Sequence, residues 1–118
     1  MNLGAVLLAV FVGAGLGACA RWALGEALNR VWPALPLGTL AANLIGGYLV
    51  GIAIALLSAR SDLSPLWRLF VITGVLGGLT TFSTFSAEVV HAIERGQPGW
   101  AVATAAAHLA GSLLLTAL

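Results

Sequence analysis

Long uncharged stretches separated by short charged connections are the main feature of this 118-residue chain. Each stretch has about the 20 residues that an α-helix needs to cross a bilayer. The four stretches are Leu3–Ala20, Leu37–Ala59, Leu69–Ala87 and Trp100–Leu118. Prolines fall only in the connections, where proline starts helices or ends loops. The pattern therefore predicts an all-α integral membrane protein with four transmembrane helices, forming a single domain over residues 1–118.

Composition supports this prediction and narrows the function. Hydrophobic residues make up 60% of the chain and charged residues 8%, which is too few to form the polar surface of a soluble domain. The net charge is only +1 and lysine is absent, which argues against a nucleic-acid partner. A single cysteine, Cys19, excludes an internal disulfide framework. No nucleophile–base pair, phosphate loop or zinc pattern is evident in the sequence, so we do not expect an enzyme.

The third stretch contains a segment that a lipid-facing helix would avoid. It reads Gly77-Gly78-Leu79-Thr80-Thr81-Phe82-Ser83-Thr84-Phe85-Ser86. Adjacent glycines weaken a helix, and five hydroxyl side chains follow within seven residues. Irregular backbone at membrane depth persists only where protein or a water-filled cavity covers it, and broken helices offer free carbonyl groups to ions. We therefore predict that the third helix is broken at its centre and forms an ion site.

Polar side chains of the second and fourth stretches suggest a group of hydrogen-bond donors. Asn43 lies in the middle of the second stretch, Thr39 lies one turn earlier on the same face, and Ser112 lies in the fourth stretch. An unpaired amide in lipid is costly. Asn43 therefore either joins two helices through a hydrogen bond or donates its N–H groups to an anion, and the spacing favours neither interpretation.

Two phenylalanines follow the glycines of the third stretch. Phe82 and Phe85 are three residues apart and share a helix face, where phenylalanine usually packs against lipid or a neighbouring helix. Because an aromatic ring has a positive edge, these rings are also able to approach an anion. Ser83, Thr84 and Ser86 either donate O–H groups along the same path or bond back to carbonyls freed by the break.

Two titratable residues have roles that the sequence leaves open. Glu88 is the acid closest to the membrane interior and lies about two turns beyond the break, so it is a candidate proton or cation site, or its side chain reaches the interface. His108 lies in the fourth stretch without metal-ligand partners at suitable spacing, so we expect a hydrogen bond between helices.

Glycines recur at the spacing of close helix contacts. The pairs are Gly13 and Gly17, Gly47 and Gly51, and Gly74 and Gly78. Small residues four apart allow two helix backbones to approach closely within a membrane. We therefore predict that these pairs lie in helix–helix interfaces, with Gly78 belonging also to the break.

Arginines are almost equally distributed between the two sides of the predicted membrane domain. Arg60 and Arg68 lie on the N-terminal side, and Arg30 and Arg95 lie on the other, joined by Arg21 if its side chain reaches outward. Orientation normally follows a clear asymmetry of basic residues, so its near absence predicts insertion in both orientations. Four short helices also make too thin a wall for a pore, and both points favour an antiparallel homodimer.

These motifs resemble those of the Fluc (CrcB) family of fluoride channels. The resemblance covers nearly the whole chain in order, through the third-stretch segment given above, Gly38-Thr39-Leu40 with Asn43 and Gly46-Gly47, Gly13 and Gly17 with Arg21-Trp22, and Gly111-Ser112. Chains of that family usually continue several residues beyond the position of Leu118. The resemblance therefore does not identify the residues that form the far wall of the vestibule.

The resemblance implies a dual-topology, antiparallel homodimer in the inner membrane of a prokaryote, with two pores through which fluoride leaves the cytoplasm. It also implies a structural sodium ion that is not transported, held on the two-fold axis by the backbone carbonyls of Gly77 and Thr80. The implied fluoride path comprises the rings of Phe82 and Phe85, vestibule donors at Asn43, Ser112 and Thr39, a polar track at Ser83 and Thr84, and the first-helix Arg21.

Two other functional classes compete with this interpretation. Small multidrug exporters are also dual-topology dimers of four helices, but they exchange protons through a carboxylate in the first helix. Leu3–Ala20 contains no acid, and Glu26 lies near the helix end, which weighs against an exporter. A purely structural subunit would use the same polar residues only to join helices.

Overall fold

Helices account for almost all of the chain in the computed structural model, which describes residues 2–118. The elements are α1 (Leu3–Leu28), α2 (Leu37–Ser58), α3 (Pro65–Arg68), a π-helix (Leu69–Leu76), α4 (Gly77–Leu79), α5 (Phe82–Glu94) and α6 (Pro98–Ala117). From α3 to α5 they form one span, Pro65–Glu94, so four spans are long and apolar enough to cross a membrane. No strand occurs within residues 2–118. The predicted all-α architecture with four long apolar helices is thus confirmed.

Local sequence signals determine where the helices begin and end. The Asn2 side chain caps α1 by accepting a hydrogen bond from the Gly4 N–H at 2.7 Å. Pro65 and Pro98 occupy the first turns of α3 and α6, where a missing N–H costs nothing. Gly96, with φ of 73°, ends α5 in the left-handed conformation that glycine adopts without strain. The first helix continues beyond the uncharged stretch, so that Arg21 and Glu26 belong to its last turns before it ends at Leu28.

Close glycine contacts join α1 to the third span and α2 to α6, as predicted. A Cβ added at Gly13 would lie 2.6 Å from the Phe70 carbonyl oxygen, and one at Gly74 would lie 3.0 Å from the Gly13 Cα. The same pattern recurs where Gly17 faces Val75, Gly78 faces Ala14, Gly47 faces Ser112 and Gly51 faces Thr116. The backbones therefore approach each other so closely that no side chain fits between them.

We expect the contact at Gly78 to be sensitive to a single methyl group. A Cβ at position 78 would clash with the backbone of Ala14, whereas one at Gly15 would have no atom within 4 Å. Gly78→Ala is therefore expected to lower stability by about 1–3 kcal/mol through overpacking, whereas Gly15→Ala, inside α1, should raise it by up to about 1 kcal/mol because alanine has the higher helix propensity. Thermal unfolding of both purified variants in detergent tests this. Equal stabilities would contradict the packing account.

The break in the third span lies slightly later than the glycines suggest. Gly77 and Gly78 are helical, with Gly77 at φ −64° and ψ −36°, so the expectation that Gly78 belongs to the break was wrong. The interruption consists of Thr80, at φ −83° and ψ 154°, and Thr81, at φ −149° and ψ 119°. The preceding π-helix, with its wider turns, is an irregularity that the sequence did not predict. The glycines thus serve packing against α1, and the threonines form the break.

Candidate functional site

The break is held open by one side chain from a neighbouring span. Asn43 Oδ1 accepts a hydrogen bond from the Thr81 N–H at 2.7 Å, and Asn43 Nδ2 donates to the Thr81 carbonyl oxygen at 3.0 Å. The amide of Asn43 therefore pairs with the extended backbone of Thr81 as a neighbouring strand would. These bonds satisfy two backbone groups that lost their helical partners, which makes irregular backbone tolerable inside a membrane.

Further hydrogen bonds satisfy both ends of the break. The Thr80 hydroxyl donates to the Leu76 carbonyl oxygen at 2.9 Å, and the Thr81 hydroxyl accepts from the Thr84 N–H at 3.1 Å, capping α5. Arg21 Nε donates to the Gly78 carbonyl oxygen at 3.0 Å. The Arg21 guanidinium thus does not reach outward but lies inward, against the C-terminal end of α4. The helix dipole favours a cation at that end.

A cleft of about 400 Å³ opens beside the break, and we call it the phenylalanine cleft. Its functional lining comprises Asn43, Thr80, Thr81, Phe82, Phe85, His108 and Ser112. Phe85 is buried, whereas Phe82 is 72% exposed, and the two rings meet edge to face with centroids 5.5 Å apart. The structure therefore places the two predicted phenylalanines together, one inside the chain and one on its surface.

Asn43 also binds His108 on the wall of this cleft. The distance from Asn43 Nδ2 to His108 Nδ1 is 2.8 Å, and the imidazole lies against the Phe85 ring with centroids 4.5 Å apart. The expected helix–helix hydrogen bond of His108 is therefore present, between α6 and α2. In this arrangement, the Asn43 amide donors are used by Thr81 and His108. Ser112 is adjacent, with its hydroxyl 3.5 Å from the Asn43 carbonyl oxygen.

A second cleft of about 370 Å³ lies on the other side of Thr81, and we call it the arginine cleft. Its lining comprises Arg21, Trp22, Gly25, Glu26, Asn29, Arg30, Thr39, Thr81 and Thr84. Arg30 and Glu26 form an exposed ion pair at 3.7 Å, so Arg21 is the remaining cation of this lining. Thr81 lines both clefts. A cation such as Arg21 raises the local concentration of anions.

Thr39 belongs to the arginine cleft rather than to the cluster predicted with Asn43 and Ser112. It is 4% exposed, and its hydroxyl donates to Glu88 Oε2 at 2.7 Å. Its N–H donates to Asn29 Oδ1 at 3.0 Å. Glu88 is thus bonded to α2, and its other oxygen, Oε1, is buried without a partner within residues 2–118.

The hydroxyls of α5 are arranged along its first turns. Ser83 Oγ lies 3.4 Å from the Thr81 hydroxyl, and Thr84 lines the arginine cleft. Ser86 is exposed and takes no part in either cleft. The hydroxyl that bonds back to a carbonyl at the break is that of Thr80, and its acceptor, the Leu76 oxygen, also keeps its helical bond from the Thr80 N–H. Of the two residues predicted as a polar track, Thr84 thus lines the arginine cleft, whereas Ser83 lines neither cleft.

The carbonyl groups of Gly77 and Thr80, like that of Leu79 between them, differ from those of Leu76, Gly78 and Thr81. Neither oxygen accepts any of the hydrogen bonds that bind Leu76, Gly78 and Thr81 at the break. Among residues 2–118, no group of three His, Cys, Asp or Glu side chains is positioned to hold a metal. A cation at the break would therefore be held by neutral oxygens, which suit a hard monovalent ion.

Two residues of this site were not identified as site residues from the sequence. Thr81 lines both clefts. The only feature of the sequence that pointed to it was its place among the five hydroxyl residues. Asn29 holds Thr39 through its side chain, and its position after the last turn of α1 makes it look like an ordinary helix end. Both roles depend on which helices become neighbours.

Comparison with known proteins identifies relatives over nearly the whole chain. The family described as CrcB-like protein, Camphor Resistance (CrcB), matches residues 8–118. A protein of Burkholderia ambifaria is 62% identical over 112 residues, which cover 95% of this chain and 88% of that protein. Proteins of Burkholderia lata and Burkholderia pseudomallei are 63% and 60% identical with the same coverage. All three are named fluoride-specific ion channel FluC.

Proposed function

This chain belongs to the CrcB-like protein family, and we propose that it forms a fluoride-selective channel. Fluoride leaves the cytoplasm passively through it, which lowers the toxicity of fluoride to the cell. The observation that carries the proposal is the phenylalanine cleft, in which the rings of Phe82 and Phe85 meet the neutral side chain of Ser112 beside a broken helix. Relatives at about the same length bear the name of a fluoride-specific channel. The membrane would be the inner membrane of a bacterium, in keeping with the Burkholderia relatives.

Fluoride is small and holds its hydration water strongly, so a path must offer replacements for that water at several weak sites. In our proposal, the Arg21 side attracts the anion, and Ser83 and Thr84 offer hydroxyl groups, while the Thr39 hydroxyl is engaged by Glu88 and would have to leave it to join the path. In the phenylalanine cleft, the positive edges of the Phe82 and Phe85 rings then contact the fluoride ion. Since the hydroxyl groups and the phenylalanine rings are neutral, none of them binds fluoride so tightly that it cannot leave.

We propose that two copies are needed to complete the path, arranged antiparallel as the balance of arginines suggests. The phenylalanine cleft is open on the surface of the single chain, where Phe82 is largely exposed. An anion moving along an open groove would face lipid, and a charge at bilayer depth is costly without a protein or water cover. A second copy would supply the missing wall through an isologous contact.

We further propose that a structural sodium ion lies at the break and is not transported. The unbonded carbonyl oxygens of Gly77 and Thr80 support this, since two copies would together present four neutral oxygens. Such an ion would contribute positive charge near the path. The chain's own part is to hold these carbonyls in place, which Asn43 and Arg21 do through their bonds to Thr81 and Gly78.

We expect fluoride efflux to depend on sodium during purification without any sodium movement across the membrane. Protein prepared with a large organic cation in place of sodium should lose most of its fluoride flux, and returning sodium should restore it. Tracer sodium uptake into the same vesicles should equal that of empty vesicles. Sodium uptake coupled to fluoride would contradict a structural role.

Efflux from liposomes tests the proposed function. Vesicles loaded with potassium fluoride and containing the purified protein are made permeable to potassium, and external fluoride is followed with an electrode. We expect rapid fluoride loss, and no chloride loss from matched vesicles loaded with potassium chloride. Equal loss of both anions would refute selectivity, and no fluoride loss from well-folded dimers would refute the function.

A further inference from the structure

We infer that His108 presents its Nε2–H group to the phenylalanine cleft as a donor that fluoride contacts, an inference that rests on the proposed function. His108 is 3% exposed and lines the cleft together with Phe85 and Ser112. It was not among the path residues that the sequence motifs indicate. Its role follows from the hydrogen bonds around Asn43.

The orientation of the Asn43 amide is determined by the break. A backbone N–H only donates and a carbonyl only accepts, so the atom facing the Thr81 N–H at 2.7 Å must be the amide oxygen. The atom facing the Thr81 carbonyl at 3.0 Å must then be the amide nitrogen. The reverse assignment would place donor against donor and acceptor against acceptor. Asn43 Nδ2 is therefore an NH₂ group in this structure.

This orientation determines the tautomer of His108. Nδ1 lies 2.8 Å from the Asn43 NH₂ group, so Nδ1 must accept, and a neutral imidazole then carries its proton on Nε2. Nε2 is buried and has no hydrogen-bond partner within residues 2–118. A buried N–H without a partner costs about 1–3 kcal/mol. Because Nε2 is fully buried here, a partner from outside the chain contacts this donor only when a side chain of the cleft wall moves aside.

The surroundings of His108 indicate what that partner is. Ser112 lies one turn later on the same face of α6, and the Phe85 ring covers one face of the imidazole. The cleft offers donors and ring edges, and no basic side chain lines it. A small acceptor fits this chemistry, and fluoride is the acceptor that the proposed function brings into the cleft. A bound water molecule is the competing occupant.

Two substitutions separate the two nitrogens of the ring. His108→Asn places an oxygen near the position of Nδ1, which keeps an acceptor for Asn43 but removes the Nε2 donor. His108→Gln places an amide near the position of Nε2 and removes the acceptor. We expect fluoride efflux to fall about tenfold in His108→Asn and to stay within about threefold of the parent in His108→Gln. The opposite order would show that only the bond to Asn43 matters, which overturns the inference.

Spectroscopy of the imidazole keeps the inference testable if either variant misfolds. Protein labelled with ¹⁵N-histidine and carrying His91→Gln, an exposed position outside both clefts, is placed in vesicles. We expect a protonated Nε2 and an unprotonated Nδ1, with fluoride but not chloride shifting the Nε2 resonance. A protonated Nδ1, or no response in vesicles that conduct fluoride, would overturn the inference and favour water. Vesicles without fluoride flux would instead refute the proposed function.

Discussion

Replacing Phe82 and Phe85 together with isoleucine is expected to lower fluoride efflux about thirtyfold while the protein remains folded. Isoleucine keeps most of the apolar volume but has no positive ring edge for an anion. If each ring contributes about 1 kcal/mol beyond its buried area, losing both raises the barrier enough for a change of this size. Phe82 is largely exposed in the single chain, so its replacement removes little packing. The measurement is fluoride-electrode efflux, with elution from a sizing column as the check on folding.

Phe11 provides a matched control for this experiment. It is 79% exposed on α1 and lines neither cleft. Phe11→Ile is therefore expected to leave fluoride efflux unchanged. If the double variant at Phe82 and Phe85 kept its full fluoride flux, the two rings would not be part of the fluoride path. A loss of flux in Phe11→Ile of equal size would mean that the effect comes from general packing against lipid.

Replacing Asn43 with leucine is expected to destabilise the protein by at least about 2 kcal/mol, because two buried backbone groups of Thr81 lose their partners and each costs about 1–3 kcal/mol. Leucine has a similar shape but neither donates nor accepts. His108 Nδ1 would lose its donor as well. The break should then shift, and fluoride efflux should be strongly reduced. Thermal unfolding in detergent and efflux from vesicles measure the two effects separately.

Ser112→Ala is the control for stability in this experiment. Its hydroxyl lies 3.5 Å from the Asn43 carbonyl oxygen, which is too long for a strong hydrogen bond. Its removal should therefore change stability by less than about 1 kcal/mol. If Asn43→Leu were as stable as the parent protein, the Asn43 amide would not be what holds the break open.

The spans and their contacts could be predicted because they depend on local composition. Apolar length determines where a helix crosses a bilayer, and glycines four apart determine where two backbones approach. Gly13, Gly17, Gly74 and Gly78 all lie in the predicted interfaces. The same glycines misled the placement of the break. Their low helix propensity was overridden by tertiary packing against α1, and the extended residues are Thr80 and Thr81.

The partners of polar side chains were harder to predict, because they depend on which helices become neighbours. The sequence did not decide whether Asn43 joins two helices or donates to an anion. In the structure its amide bonds to Thr81 and His108. Thr39 was grouped with Asn43 because of their spacing on α2, yet its hydroxyl bonds to Glu88 on α5. Residues on one face of a helix thus meet different neighbours when two other helices pack against that face.

The central claim is that fluoride crosses passively and selectively, and the reversal potential of the current across a planar bilayer tests it most directly. With a fluoride gradient, the current should reverse at the equilibrium potential of fluoride. Opposing gradients of chloride, sodium or protons should not move that potential. A reversal potential that follows the proton or sodium gradient would show coupled transport and contradict the account, as would a current carried equally by chloride.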